Sequence, residues 1–291
     1  MTRPSPNFAL NHMAAPGLDL PAFFALAGAL GITGVEIRND IAGKPIADGT
    51  AALEVRAAAE KAGVSILTIN ALQRFNEWTS AREREAIELA DYAAACGAQA
   101  LVLVPVNDGS GREGGKRQEN LRNALQHLLP ILEARSLKGF VEPLGFEICS
   151  LRSKKEAVDA IKAVGGGDAF RLVHDTFHHH LAGEPEIFAA ITGLVHISGV
   201  DDPSLEVPAL RDPHRVLVTE KDRIGNLAQI SALKERGYDG RFSFEPFAPS
   251  IHALVDPAAS LRESMDFIRL EWSHSEREAL NGMDISFGAV Q

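Results

Sequence analysis

From near the N-terminus to about residue 270, short apolar, often β-branched runs alternate with longer stretches in which apolar positions recur every three or four residues. The short runs predict strands at 7–10, 35–37, 65–70, 100–104, 139–142, 171–175, 194–197 and 242–245. Helical spacing is clearest over 79–96, 117–134, 153–164, 227–237 and 256–270. Between them the phrases EKAGVS, ACGAQA and ERGYDGRFSF repeat one order: helix end, glycine, short turn, apolar strand. Strands alternating with helices imply parallel neighbours joined by crossovers, and about eight such units close a barrel. The expectation is a single-domain (β/α)8 TIM barrel over residues 1–270. Residues 271–291 are expected to form an extension that packs on the barrel or on a neighbouring subunit.

Charge narrows the partners. With 29 Lys and Arg against 39 Asp and Glu, the formal charge of −10 disfavours a phosphate backbone, so no nucleic-acid role is expected. The two cysteines, Cys96 and Cys149, stand in no paired motif and read as buried apolar residues in a reducing compartment. No run is long and apolar enough to span a bilayer and the start MTRPSPNFAL lacks a leader pattern, so a cytoplasmic protein without membrane contact is expected. The loop 107–116 contains four glycines but neither the Gly-Lys-Ser/Thr ending nor the GxGxxG order of a phosphate cradle. It reads as a flexible loop at the barrel mouth.

In such a barrel the chemistry sits where strands end at their carboxyl side. Four consecutive strands end in residues that bind metals: Glu142 after GFV, Asp175 in RLVHD, His196 in LVHI and Glu245 after FSF. A single acid at a strand end is usually a solvated charge, and a lone histidine beside a core run is usually an interior one. Their joint placement argues otherwise, because three converging carboxylates repel unless a cation neutralises them. One divalent ion, Mn, Mg, Co or Zn, is therefore expected on Glu142, Asp175, His196 and Glu245.

The tract HDTFHHH is not a metal tract in itself. Strand alternation turns His174 away from Asp175, toward the outer helices. His178 is the candidate for the mouth, as a group that touches substrate or steadies a carboxylate, and His179 and His180 read as structural. Glu36 and Arg38, in VEIRND, read equally as an ion pair at the mouth or as a structural salt bridge. After strand three, Asn70 offers a polar contact, and Phe75 and Trp78 an apolar wall.

These residues resemble a known family. Glu142 in FVEPLGFE, Asp175 in HDTFHHH, His196 in VHISGVDD and Glu245 in FSFEPF are similar to the metal ligands of the xylose-isomerase-like TIM-barrel sugar isomerases and epimerases. VEIRND, LTINALQRFN, DTFHHHLAG and HRVLV most resemble the inosose isomerases among them. The resemblance implies isomerisation or epimerisation of a keto-inositol or related ketose through a metal-bound enediolate. Glu142 and Glu245 would then transfer protons as well as bind metal, and His178 and Arg215 would contact substrate. Asn70, Trp78 and Glu36 complete the expected substrate site. One departure stands out: where many relatives follow the arginine with a GxG turn, this chain reads VTEKDRIGN.

Several alternatives stay open at this point. A dehydratase of the inosose type would use the same proton abstraction and expel a hydroxyl; a ketose 3-epimerase or a hydroxypyruvate isomerase would share the metal shell. A protein that binds sugar or metal without turnover would share it too. A homodimer is expected by analogy only.

Overall fold

Eight parallel strands close on themselves in sequence order, each hydrogen-bonded to the next and the last to the first. The computed structural model describes residues 4–41 and 46–287, with the backbone alone for 47, 275, 276 and 278–287. The strands are β1 (Asn7–Asn11), β2 (Gly34–Arg38), β3 (Ser65–Gln73), β4 (Ala100–Val104), β5 (Lys138–Val141), β6 (Phe170–Asp175), β7 (Thr192–Ile197) and β8 (Arg241–Phe244). Around them lie α1 (Leu20–Ala29), α2 (Ala52–Ala62), α3 (Ser80–Cys96), α4 (Lys116–Glu133) and α5 (Lys154–Ala163). They are followed by α6 (Thr176–Ala182), α7 (Asn226–Glu235), α8 (Pro249–His252) and α9 (Pro257–Phe287). The expected (β/α)8 barrel is the fold observed.

Local signals set the helix bounds. The Thr79 hydroxyl accepts from the backbone N–H of Arg82 at the start of α3, and Gly97 ends that helix at φ 81°, a conformation costly for other residues. Ser153 caps α5 in the same way, accepting from the N–H of Glu156. α9 runs without a break through residue 270 to Phe287, so the periodicity that fades at 270 marks no boundary in the backbone. Leu261, Met265, Ile268 and Trp272 bury one side of this helix in the core. The packing expected of residues 271–291 on the barrel or a second subunit rests mostly on side chains outside the described ones.

Side chains alternate across each strand, and this decides what fills the barrel. One parity, including Leu10, Val35, Ile37, Leu101, Leu103, Val195, Phe242 and Phe244, belongs to the large cluster shared with the helices. The other parity turns inward. Its lower positions are apolar, with Ala9, Phe140 and Leu194 in one small cluster and Val102 and Val173 in another. Its upper positions are polar and buried: Asn11, Glu36, Arg38, Thr68, Asn70, Glu142, Asp175, His196, Ser243 and Glu245. An apolar plug thus closes the barrel below a polar chamber that opens at the carboxyl ends of the strands. Among the described residues, no helix is long and apolar enough to cross a membrane.

Candidate metal centre and active-site cleft

The four predicted ligands meet. One ligand atom each from Glu142, Asp175, His196 and Glu245 lies within 4.8 Å of the others, and all four residues are buried. At that spacing two like unit charges repel by roughly 3–4 kcal/mol at an effective dielectric of about 20, so three carboxylates require positive charge among them. Three groups supply it. Arg215 Nη2 donates to Asp175 Oδ2 at 2.6 Å and to Glu245 Oε2 at 2.9 Å, and Arg38 Nη1 donates to Glu245 Oε1 at 2.7 Å. The third is His196, whose Nδ1 lies 2.8 Å from Glu142 Oε1, 3.1 Å from Glu245 Oε2 and 3.9 Å from Asp175 Oδ2.

The opposite nitrogen of His196 is held from below. Nε2 sits 3.1 Å from Oε2 of Glu36, across the barrel from β7 to β2. Glu36 has no solvent exposure and accepts four further hydrogen bonds, from Thr68 Oγ1 (2.6 Å), Asn70 Nδ2 (2.8 Å), Asn11 Nδ2 (3.2 Å) and Ser243 Oγ (2.5 Å). Burial raises its pKa, but the His196 charge and hydrogen bond outweigh this and hold the carboxyl below its ordinary value. An ionised Glu36 favours the proton on Nε2 and turns Nδ1 toward the three carboxylates, an arrangement by which proteins fix a ligating imidazole.

The two outer glutamates differ in surroundings. Burial raises the pKa of Glu142; His196 opposes this, while Glu245 and Asp175 add to it, and the net shift is upward. Its Oε2 makes no hydrogen bond among the described residues. Glu245 is driven well below the usual carboxylate range, because His196, Arg215 and Arg38 overcome the effect of burial. For His196 burial disfavours the imidazolium, yet Glu245, Glu36 and Glu142 together raise its pKa well above the ordinary value. Three oxygen donors and one imidazole nitrogen converging in this way fit a divalent ion of the hard or borderline class.

Above the quartet is a cleft of about 210 Å³, bordered by Arg38, Asn70, Glu142, His178, Arg215, Glu245 and Phe247 among others. His178 is 4% exposed, packs edge-on against Phe146 and Phe177, and has a buried Nδ1 without a hydrogen-bond partner. Its backbone N–H donates to Asp175 Oδ1 at 2.9 Å, so one carboxylate caps α6 and also joins the quartet. Gly145 lets the loop after β5 close onto this turn, since a Cβ there would lie 2.3 Å from the His178 carbonyl oxygen. Arg215 is 1% exposed; Nε donates to Ser198 Oγ at 2.9 Å, and the guanidinium lies over the Phe247 ring at 4.6 Å.

The segment after Arg215, without a GxG turn, is organised by Asp222. Its carboxylate accepts from the backbone N–H groups of Val200 and Asn226, and Asn226 Nδ2 donates to the Ser198 carbonyl. The turn thereby braces the serine that holds Arg215.

Other expectations need correction. Glu36 and Arg38 face the same interior and do not pair with each other; Glu36 goes to His196, and Arg38 to Glu245 and Asp40. Glu36 lies beneath the ligands rather than on the cleft. Phe75 is buried in the core and Trp78 stacks on His127 of α4 at 5.4 Å, so neither forms the apolar wall. Phe146 and Phe247 form it instead. His174 is buried as expected, with Nε2 2.9 Å from Gln229 Oε1, and Lys154 Nζ lies 2.7 Å from His179 Nδ1. Both cysteines are free and buried. Asn107 of the glycine-rich loop reaches the cleft.

Residues 24–271 match the family model described as xylose isomerase-like TIM barrel. The chain belongs to that family. Over 201 residues, 65% of this chain and 68% of its relative, it is 28% identical to an inosose isomerase from Halalkalibacterium halodurans. A solved xylose isomerase domain containing protein from Salmonella typhimurium is 36% identical and superposes with a TM-score of 0.83, covering 91% of this chain and 97% of the other. An IOLI protein solved with a bound zinc atom superposes at 0.81 with 20% identity, over 91% and 99% of the two chains, a likeness of fold. Family membership and the buried quartet together support a metal-dependent function of the sugar isomerase and epimerase kind.

Proposed function

We infer that this chain is a metal-dependent isomerase or epimerase that moves a proton beside the carbonyl of a keto-inositol or related ketose. The observation that carries this reading is Glu142, which stands in the ligand quartet, borders the cleft and has an unengaged Oε2. The inosose isomerase named above supports the substrate class.

Glu142, Asp175, His196 and Glu245 would hold the ion. When bound, a divalent cation withdraws charge from a ketone oxygen and contributes several kcal/mol to a transition state in which that oxygen becomes negative. A proton beside a ketone is otherwise too weakly acidic for a carboxylate. Glu142, the more basic of the two glutamates, takes that proton and returns it to the neighbouring carbon on the same face. Glu245, whose oxygens are engaged by Arg38 and Arg215, is the weaker proton carrier and delivers the proton on the opposite face where the configuration changes. His178 and the outer edge of Arg215 bind substrate oxygens and aim the departing hydrogen at Glu142. Phe247 and Phe146 cover a carbon face and exclude water.

Proton NMR of keto-inositols in deuterated water with the Zn(II)-loaded protein tests this. The expected result is deuterium gain at a carbon next to the carbonyl, with an isomeric product. An enone absorbance would assign a dehydratase instead, and no exchange in any keto-inositol or ketose would remove the reading.

A further inference from the structure

A second cavity, of about 290 Å³, adjoins the cleft; Asn107, Phe146 and Asp212 border both. It lies between the loop after β5 and the segment leading to Arg215. Its walls combine three kinds of group. Ile148 and Val207 are apolar and exposed by 48% and 40%, two of five large hydrophobic residues exposed among those described. Arg152 and Arg211 donate only to backbone carbonyls, Arg152 to Gly145 and Leu181 and Arg211 to Pro208 and Leu210, and neither forms an ion pair among the described residues. Glu147 and Asp212 place acceptors on the same wall, and Asn107 at the junction has a buried Oδ1 without a partner.

We propose that this cavity is a subsite for a second sugar ring linked to the ketose that occupies the cleft. The mixed lining decides among ligand classes. A hydrocarbon group would desolvate two guanidiniums and two carboxylates without replacing their hydrogen bonds. An anionic group would meet Arg152 and Arg211 but also Glu147 and Asp212. A sugar ring satisfies all of them, since its hydroxyls accept from arginine and donate to carboxylate or to Asn107, and its C–H face covers Ile148 and Val207. The subsite rests on the reading of the cleft as a ketose site and narrows its substrate to keto-sugars bearing an O-linked second ring.

The test uses the Zn(II)-loaded full chain, D-fructose and its four commercially familiar glucosyl ethers linked through O3, O4, O5 and O6. Binding is measured by calorimetry and solvent-deuterium exchange by NMR, for the wild type and for Val207→Trp and Ile148→Trp, two exposed positions outside the metal site. At least one glucosyl ketose is expected to bind tenfold or more tightly than fructose, with that gain lost in either variant and fructose binding unchanged. Equal affinity for fructose and all four ethers, absence of binding, or variants without effect would overturn the subsite. Exchange in fructose with no gain from the second ring leaves the proton-transfer reading intact and removes the subsite. Tight ring-dependent binding without exchange does the reverse. A wild-type dimer dissociated by Val207→Trp would assign this surface to a second copy of the chain and also overturn the proposal.

Discussion

Glu36 Oε2 and His196 Nε2 lie 3.1 Å apart beneath the ligand quartet, joining β2 to β7 through the middle of the barrel. The carboxylate fixes which imidazole nitrogen faces the ligands. Glu36→Gln keeps the shape but loses the charge and replaces one of two accepting oxygens by a donor. Metal affinity is expected to fall roughly 10–100-fold, the range typical of partners behind a ligating histidine. Competition with a chelator of known affinity checks this, and ¹⁵N NMR of His196 in the metal-free protein should show the imidazolium losing its proton at lower pH in the variant, because Glu36 is one of the charges that hold it. Unchanged affinity would mean that the quartet positions its own imidazole.

Glu142 and Glu245 should separate in stability, although a change at either lowers turnover. Either change to Gln is expected to lower solvent exchange by roughly 10²–10⁴-fold, since an amide cannot carry the proton. Glu245→Gln also strips Arg38 and Arg215 of a shared carboxylate, a loss of about 3–5 kcal/mol for buried pairs. Glu142→Gln breaks no arginine pair. Denaturant unfolding of both metal-free variants checks the difference; equal stability would contradict the electrostatic account, and full activity in Glu245→Gln would remove it from proton transfer.

Acid should weaken the fold through His179. Burial, and then the neighbouring Lys154, lower its pKa to about 4, against an ordinary value of 6.5. Between these values the unfolded chain binds the proton and the folded chain does not, so this contribution is complete above pH 6.5 and is lost as pH falls through about 4. His179→Gln is expected to flatten the loss of stability between pH 6.5 and 4, as read from urea midpoints. A slope identical to that of the wild type would exclude His179 as the titrating group.

The ligand quartet was legible because the side-chain period of a strand and the rule that barrel chemistry gathers at carboxyl ends both act locally. The link from Glu36 to His196 was not, since 160 residues separate the two and only closure of the barrel makes them neighbours. Arg38 illustrates the same limit. Two residues from Glu36 on one strand, it faces the same interior, but about 6–7 Å of strand rise separates the pair and each finds a nearer partner across the barrel. Phe75 and Trp78 after β3 are the expected aromatic wall, but Trp78 turns onto α4. Phe247 shares the inward parity of Ser243 and Glu245, a signal present in FSFEPF and usable once β8 is placed.

The central claim is that Glu142, Asp175, His196 and Glu245 hold one divalent ion together. Anomalous diffraction at the zinc edge from crystals of the protein grown with Zn(II) tests it most directly. The account predicts one strong peak within bonding distance of all four side chains, with His196 bound through Nδ1. A peak elsewhere, or none at this site while zinc binds other parts of the molecule, would contradict it.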